Sequence, residues 1–153
     1  MKASEILTQK ARDWLILGGK LVTRILEDTN KGISQDGNGR TKDFPSYTID
    51  YALKKVKGIK TKKGLSKSRQ VSPPNLKLTG VMLNSLKAQK PTSSSVELNY
   101  RDGLKFEGNA KRGRNVYGLN DKNEAFVKEY FEKIIDDRII KFNKKDIIIN
   151  LKV

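Results

Sequence analysis

Neither cysteine nor histidine occurs in this 153-residue chain. Without cysteine there is no disulfide, no thiolate nucleophile and no thiolate zinc site. Without histidine the commonest general base and metal ligand is gone, and with it every Ser–His and Cys–His arrangement. Most hydrolytic chemistry is thereby excluded. Long apolar runs are missing too, since no segment approaches the roughly 18 residues of a membrane span. The opening, Met1-Lys2-Ala3-Ser4-Glu5, leads into an amphipathic pattern with acids rather than into a signal peptide. The lack of cysteine fits a reducing compartment, and cytosolic synthesis is the expectation. Acidic residues are absent from Tyr51 to Val96.

Positive charge is what abounds. Lysine and arginine number 32 against 17 aspartates and glutamates, a net charge of +15. Nine of these cations (Lys54, Lys55, Lys57, Lys60, Lys62, Lys63, Lys67, Arg69 and Lys77) fall between Lys54 and Lys77, inside the acid-free stretch. A field of this kind favours a polyanion or an acidic protein surface as partner, while a solvated loop that aids solubility accounts for it as well. The chain is long enough for one domain with its own core. A single domain is therefore expected over 1–153, with a basic loop over 57–72 and a C-terminal strand or arm over 146–153.

Apolar residues recur at spacings of three and four from Ile6 through Leu7, Ala11, Trp14, Leu15, Leu21, Val22, Ile25 and Leu26. That pattern predicts an amphipathic helix over about 4–28, with Ser4 as its cap and Gly18-Gly19 marking a kink or a close contact. A polar stretch rich in turn formers follows up to Pro45. Ser46 then opens a short helix with Tyr47, Tyr51, Ala52 and Val56 on one face, and a loop follows. After Pro73-Pro74, Thr79 caps a short helical stretch over Val81–Leu86. Val96, Leu98 and Tyr100 alternate as a half-buried strand, Arg101-Asp102-Gly103 signals a hairpin turn, and Leu104-Lys105-Phe106 returns as its partner. Gly108 to Gly118 reads as a basic, glycine-punctuated loop. Asn120 or Asp121 caps a second long helix whose stripe runs from Ala125 and Phe126 to Ile139. The order of elements predicts an α+β fold, a small antiparallel sheet of about four strands packed with two long helices.

No catalytic constellation emerges from these residues. Glu129, Glu132, Asp136 and Asp137 sit among Lys128, Lys133 and Arg138, where salt links on a helix surface explain them better than paired-carboxylate catalysis. Ser66, Ser68 and Ser93–Ser95 have no neighbouring base. Asp36, Asn38 and Asp43 do not match the spacing of a calcium loop. The chain does not read as an enzyme, and no cofactor or metal is expected. Basic residues carry the recognition chemistry instead. Lys60, Lys62, Lys63, Lys67 and Arg69, with Lys111, Arg112 and Arg114, are candidate contacts to nucleic-acid phosphates or to a protein partner. Aromatics do not interleave with the lysines, so binding to nucleic acid would be backbone-directed and salt-sensitive.

Three segments carry a resemblance. The stretch from Gly32-Ile33-Ser34-Gln35-Asp36-Gly37 through Phe44-Pro45 and Ser46-Tyr47 to Tyr51-Ala52 and Lys54-Lys55 is one. Asn75-Leu76-Lys77-Leu78-Thr79-Gly80-Val81-Met82-Leu83-Asn84-Ser85-Leu86 is the most specific. The last is Gly113-Arg114-Asn115-Val116-Tyr117-Gly118-Leu119-Asn120, followed by a helix. Together they resemble the virion-morphogenesis proteins of tailed phages, the tail-completion or head–tail joining proteins of the neck. Asn115 stands where that pattern has proline.

The resemblance implies a structural virion protein without catalysis. It would assemble in the host cytoplasm as a homo-oligomeric ring of six or twelve copies between the portal or its adaptor and the tail tube or tail terminator. DNA would pass through the channel, and no membrane is involved. The matching residues Leu76, Leu78, Thr79, Gly80, Met82, Ser85, Leu86, Gly113, Arg114, Gly118 and Leu119 would be markers of the fold. A sequence-indifferent nucleic-acid-binding protein is the alternative.

Overall fold

The N-terminal stripe of apolar residues becomes helix α1, Ala11–Asn30, which buries Leu17, Leu21 and Ile25. The computed structural model describes residues 8–35, 43–61, 64–66, 68, 70–76, 83–101, 103–116 and 118–146. Ser4, the expected cap, lies outside them. At the described start of α1 the Asp13 carboxylate accepts the Lys10 backbone N–H at 2.9 Å. The glycine pair resolves into a close contact on one side only. A Cβ at Gly18 would stand 2.7 Å from the Ala88 Cβ and 3.0 Å from a Val96 methyl, whereas one at Gly19 would meet nothing within 4 Å.

The fold is α+β, and the described residues form two long helices and four short strands. Helix α2, Ile49–Lys57, leads into strands β1, Ile59–Thr61, and β2, Gly64–Ser66, which pair antiparallel with Lys60 opposite Leu65. A 3-10 turn over Leu83–Ser85 precedes β3, Lys87–Gln89, which pairs antiparallel with β4, Glu97–Asn99, with Ala88 opposite Leu98. Helix α3 spans Gly103–Ala110 and helix α4 spans Asp121–Asp146. The β3–β4 ladder and α4 both pack on α1.

Three local expectations are corrected and one pair of alternatives is resolved. Thr48, not Ser46, caps α2, its hydroxyl accepting the Tyr51 N–H at 3.4 Å. Part of the expected loop over 57–72 is the β1–β2 hairpin. Leu104-Lys105-Phe106 is helical rather than a return strand, and β4 finds its partner upstream in β3. Phe106 explains the change: its side chain is fully buried, while Leu104 is 82% exposed, so the segment has one anchor and no alternating face. Finally, Asn120 is the cap of α4, its Oδ1 accepting the Asn123 N–H at 3.0 Å. The strand or arm expected over 146–153 lies outside the described residues apart from Asp146, the last residue of α4.

The central apolar cluster joins Phe44, Leu83, Phe106 and Val116, with Leu26, Leu76 and Tyr100 packed against it. The Tyr100 phenol donates to the Val116 carbonyl at 3.0 Å, so the one polar atom of that ring is satisfied at the edge of the core. At the far end of the helix pair, Trp14 packs on Phe131 with centroids 4.8 Å apart and the rings inclined at 56°, and Arg138 pairs with Asp13.

Candidate functional site

Helix α2 faces the protein with Lys55 and the half-buried Ala52. Lys55 is fully buried, while Ile49 is 79%, Leu53 52% and Val56 45% exposed. At 100° per residue Ile49, Leu53 and Val56 form one outward stripe. Exposed Lys57 borders it, followed around the helix by exposed Asp50, the sole acid of the helix, and exposed Lys54.

A desolvated ammonium needs acceptors, and three neutral ones supply them. Lys55 Nζ donates to the Asn75 Oδ1 at 2.9 Å, the Gln70 carbonyl at 3.0 Å and the Tyr47 phenol oxygen at 3.3 Å. It also lies 4.6 Å from the Tyr47 ring centroid. Asn75 Nδ2 in turn donates to Gln70 Oε1 at 2.9 Å, and the Leu76 N–H to the Tyr47 phenol oxygen at 3.0 Å. Burial, and secondarily the charge of Arg114, lower the Lys55 pKa to about 8. Burial raises that of Tyr47.

Arg114 completes this cluster. Its guanidinium donates from Nε to the Pro45 carbonyl at 3.0 Å and from Nη2 to the Ser46 carbonyl at 2.8 Å, 4.8 Å from the centroid of the Tyr47 ring. Gly113, at φ +73°, brings the chain in so closely that a Cβ would stand 3.0 Å from Pro45 Cγ.

A second polar hub ties the chain together next to this one. Asp28 Oδ2 accepts from Gln35 Nε2 at 2.9 Å, Asn120 Nδ2 at 3.0 Å and Asn123 Nδ2 at 3.1 Å. Gln35 Oε1 accepts from Asn123 Nδ2 at 2.8 Å, and the Asn115 carbonyl takes both the Gln35 N–H and the Ser34 hydroxyl. Arg24 Nε donates to Asn123 Oδ1 at 2.8 Å. Of this group only Asn120 was read from local spacing, as a cap, while Ser34, Gln35 and Asn115 stood within the resembling segments. The hub joins residues up to 99 positions apart, and no local spacing announces it.

The residues singled out in the sequence separate into three groups. Leu76, Leu86 and Arg114 are built into the interior or its edge, Ser85 accepts the Arg101 N–H at 3.3 Å, Gly118 adopts φ +88° and Leu119 is half-buried. Arg114, a candidate partner contact, is only 8% exposed, because its donors serve the Pro45 and Ser46 carbonyls. Lys60, Lys111 and Arg112 are exposed, although Arg112 Nη1 donates back to the Gly108 carbonyl at 2.9 Å. Leu78, Thr79, Gly80, Met82, Lys62, Lys63, Lys67 and Arg69 lie outside the described residues.

On α4 the expected salt links are not made. Glu129, Glu132, Asp136 and Asp137 are all exposed, and none forms an ion pair with another described residue. The described residues contain no group of three or more His, Cys, Asp or Glu able to hold a metal ion. No helix among them is long and apolar enough to cross a membrane. No family model, curated protein or solved structure matches the chain.

Proposed function

We propose that this chain is a structural subunit of a tailed-phage neck, a head–tail joining or tail-completion protein that forms a ring and catalyses nothing. One observation carries the reading. The three segments that resemble those proteins, distant in sequence, are built around one another. The apolar cluster takes Phe44 from the first, Leu83 from the second and Val116 from the third. Lys55 and Tyr47 of the first bind Asn75 and Leu76 of the second, and Arg114 of the third binds Pro45 and Ser46 of the first. Residues shared with a pattern thus serve a common fold rather than three unrelated loops. The exposed cations of α2 and β1 are then left for a partner ring or for DNA in the channel.

Nucleic-acid binding without sequence preference is the second reading, favoured by exposed Lys54, Lys57, Lys60, Lys111 and Arg112. Native mass by light scattering at two salt concentrations, with and without short duplex DNA, separates the two. A discrete multi-subunit particle that forms without DNA supports the neck subunit. A monomer that coats duplex DNA, with affinity falling steeply as salt rises, overturns it in favour of the second reading.

A further inference from the structure

Two faces of the molecule are complementary to each other and both are left open. The first is the outward side of α2 with the adjoining hairpin. Ile49, Leu53, Val56 and Leu65 expose aliphatic surface there, accompanied by Lys54, Lys57 and Lys60. None of the three lysines makes an ion pair with a described residue. The second is the outward side of α4. Glu129, Glu132, Asp136 and Ile140 share a face of that helix by its 3.6-residue period. Asp137 and Ile139 border it, and Ile139 and Ile140 are 40% and 51% exposed. Four unpaired acids lie within Glu129–Asp137, with the exposed Lys133 as the one cation on the same face and Lys128 outside its border. At 1.5 Å per residue, α2 is about 13 Å long and the stretch from Glu129 to Ile140 about 17 Å, so the two faces match in length.

We infer that α2 and the β1–β2 hairpin of one copy dock on the outward face of α4 of the next copy. This contact is heterologous, so repetition closes a ring or extends a filament. It deepens the neck reading, on which it rests for the closed ring. Charge selects the occupant. Pairing α2 with α2 would oppose like charges, and duplex DNA would satisfy the lysines but leave the aliphatic stripe in water. The face of α4 answers both features at once.

Charge exchange tests this contact. In one variant Lys54, Lys57 and Lys60 are replaced by Glu, and in the other Glu129, Glu132 and Asp136 by Lys. Sedimentation velocity over a dilution series follows self-association, and thermal unfolding confirms that each variant is folded. Each alone is expected to associate at least about tenfold more weakly than the unaltered chain. Their equimolar mixture, and a chain carrying all six changes, should recover association. Leu53→Gln should weaken it with the charges intact. Variants that associate like the unaltered chain overturn this contact while leaving a ring formed by other surfaces. A mixture that fails to recover overturns it too, as does an unaltered chain that stays monomeric throughout. Loss of duplex-DNA binding alone, with self-association intact, transfers the lysines to the nucleic-acid reading.

Discussion

Helices α1 and α2 solve opposite problems with similar residues. Helix α1 turns Leu17, Leu21 and Ile25 inward and leaves Lys20 and Glu27 in water. Helix α2 turns Lys55 inward and leaves Ile49, Leu53 and Val56 in water. The first arrangement is what burial of apolar area favours, at roughly 25 cal/mol per Å². The second forgoes that gain, so α2 relies on its Thr48 cap, on cations in its last turn beside the helix dipole, and on the acceptors around Lys55. A helix assembled in this way holds its apolar face available for something else. The contrast identifies α2 as a surface element and α1 as an interior one.

Five substitutions break or sharpen this contrast. Leu21→Ala should cost about 2–5 kcal/mol in denaturant unfolding, as cavities in a packed interior do. Lys55→Met should cost about 1–3 kcal/mol, since it strips the donor from Asn75 Oδ1, the Gln70 carbonyl and the Tyr47 phenol. It should also change the response to pH. The folded chain holds Lys55 at about 8, below its ordinary value of 10.5, so between these limits the unfolded state binds more protons. Stability relative to Lys55→Met should therefore rise as pH goes from about 8 to 10.5 and level off above; a flat difference would remove Lys55 from its buried position.

Smaller effects discriminate more finely. Gly19→Ala should stabilise by about 0.5–1 kcal/mol, because the site is open and α1 gains a better helix former. Gly18→Ala should destabilise, since the new methyl meets Ala88. Their opposite signs in paired thermal melts would place the ladder on one side of α1. Leu53→Ala should change stability by no more than about 0.5 kcal/mol, the usual range for an exposed site.

The two long helices and the β4 segment were legible because their apolar spacing reports burial directly. What escaped reading depends on partners far along the chain. Lys55 is one cation among nine in its stretch, and nothing local distinguishes it from Lys54, which is exposed. Its acceptors Gln70 and Asn75 lie 15 and 20 residues away. The sequence pattern grouped Val56 on one face with Tyr47, Tyr51 and Ala52, whereas Val56 is exposed beside Ile49 and Leu53 because the inward contact of α2 is the polar one at Lys55. Helix α3 was missed because its single anchor, Phe106, produces no period, while Arg101-Asp102-Gly103 imitates a hairpin turn. The Asp28 hub is similar: amides from Gln35, Asn120 and Asn123 converge only once α1 and α4 have packed.

The orientation of α2 underlies both the buried anchor and the open face, and lysine labelling reads it directly. The native chain would be treated briefly with an amine-acetylating reagent below pH 8, and each lysine quantified by peptide mass spectrometry. Lys54 and Lys57 should label readily in the dilute protein, while Lys55 stays protected until the chain is unfolded. Labelling of Lys55 at the rate of its two neighbours would contradict the account.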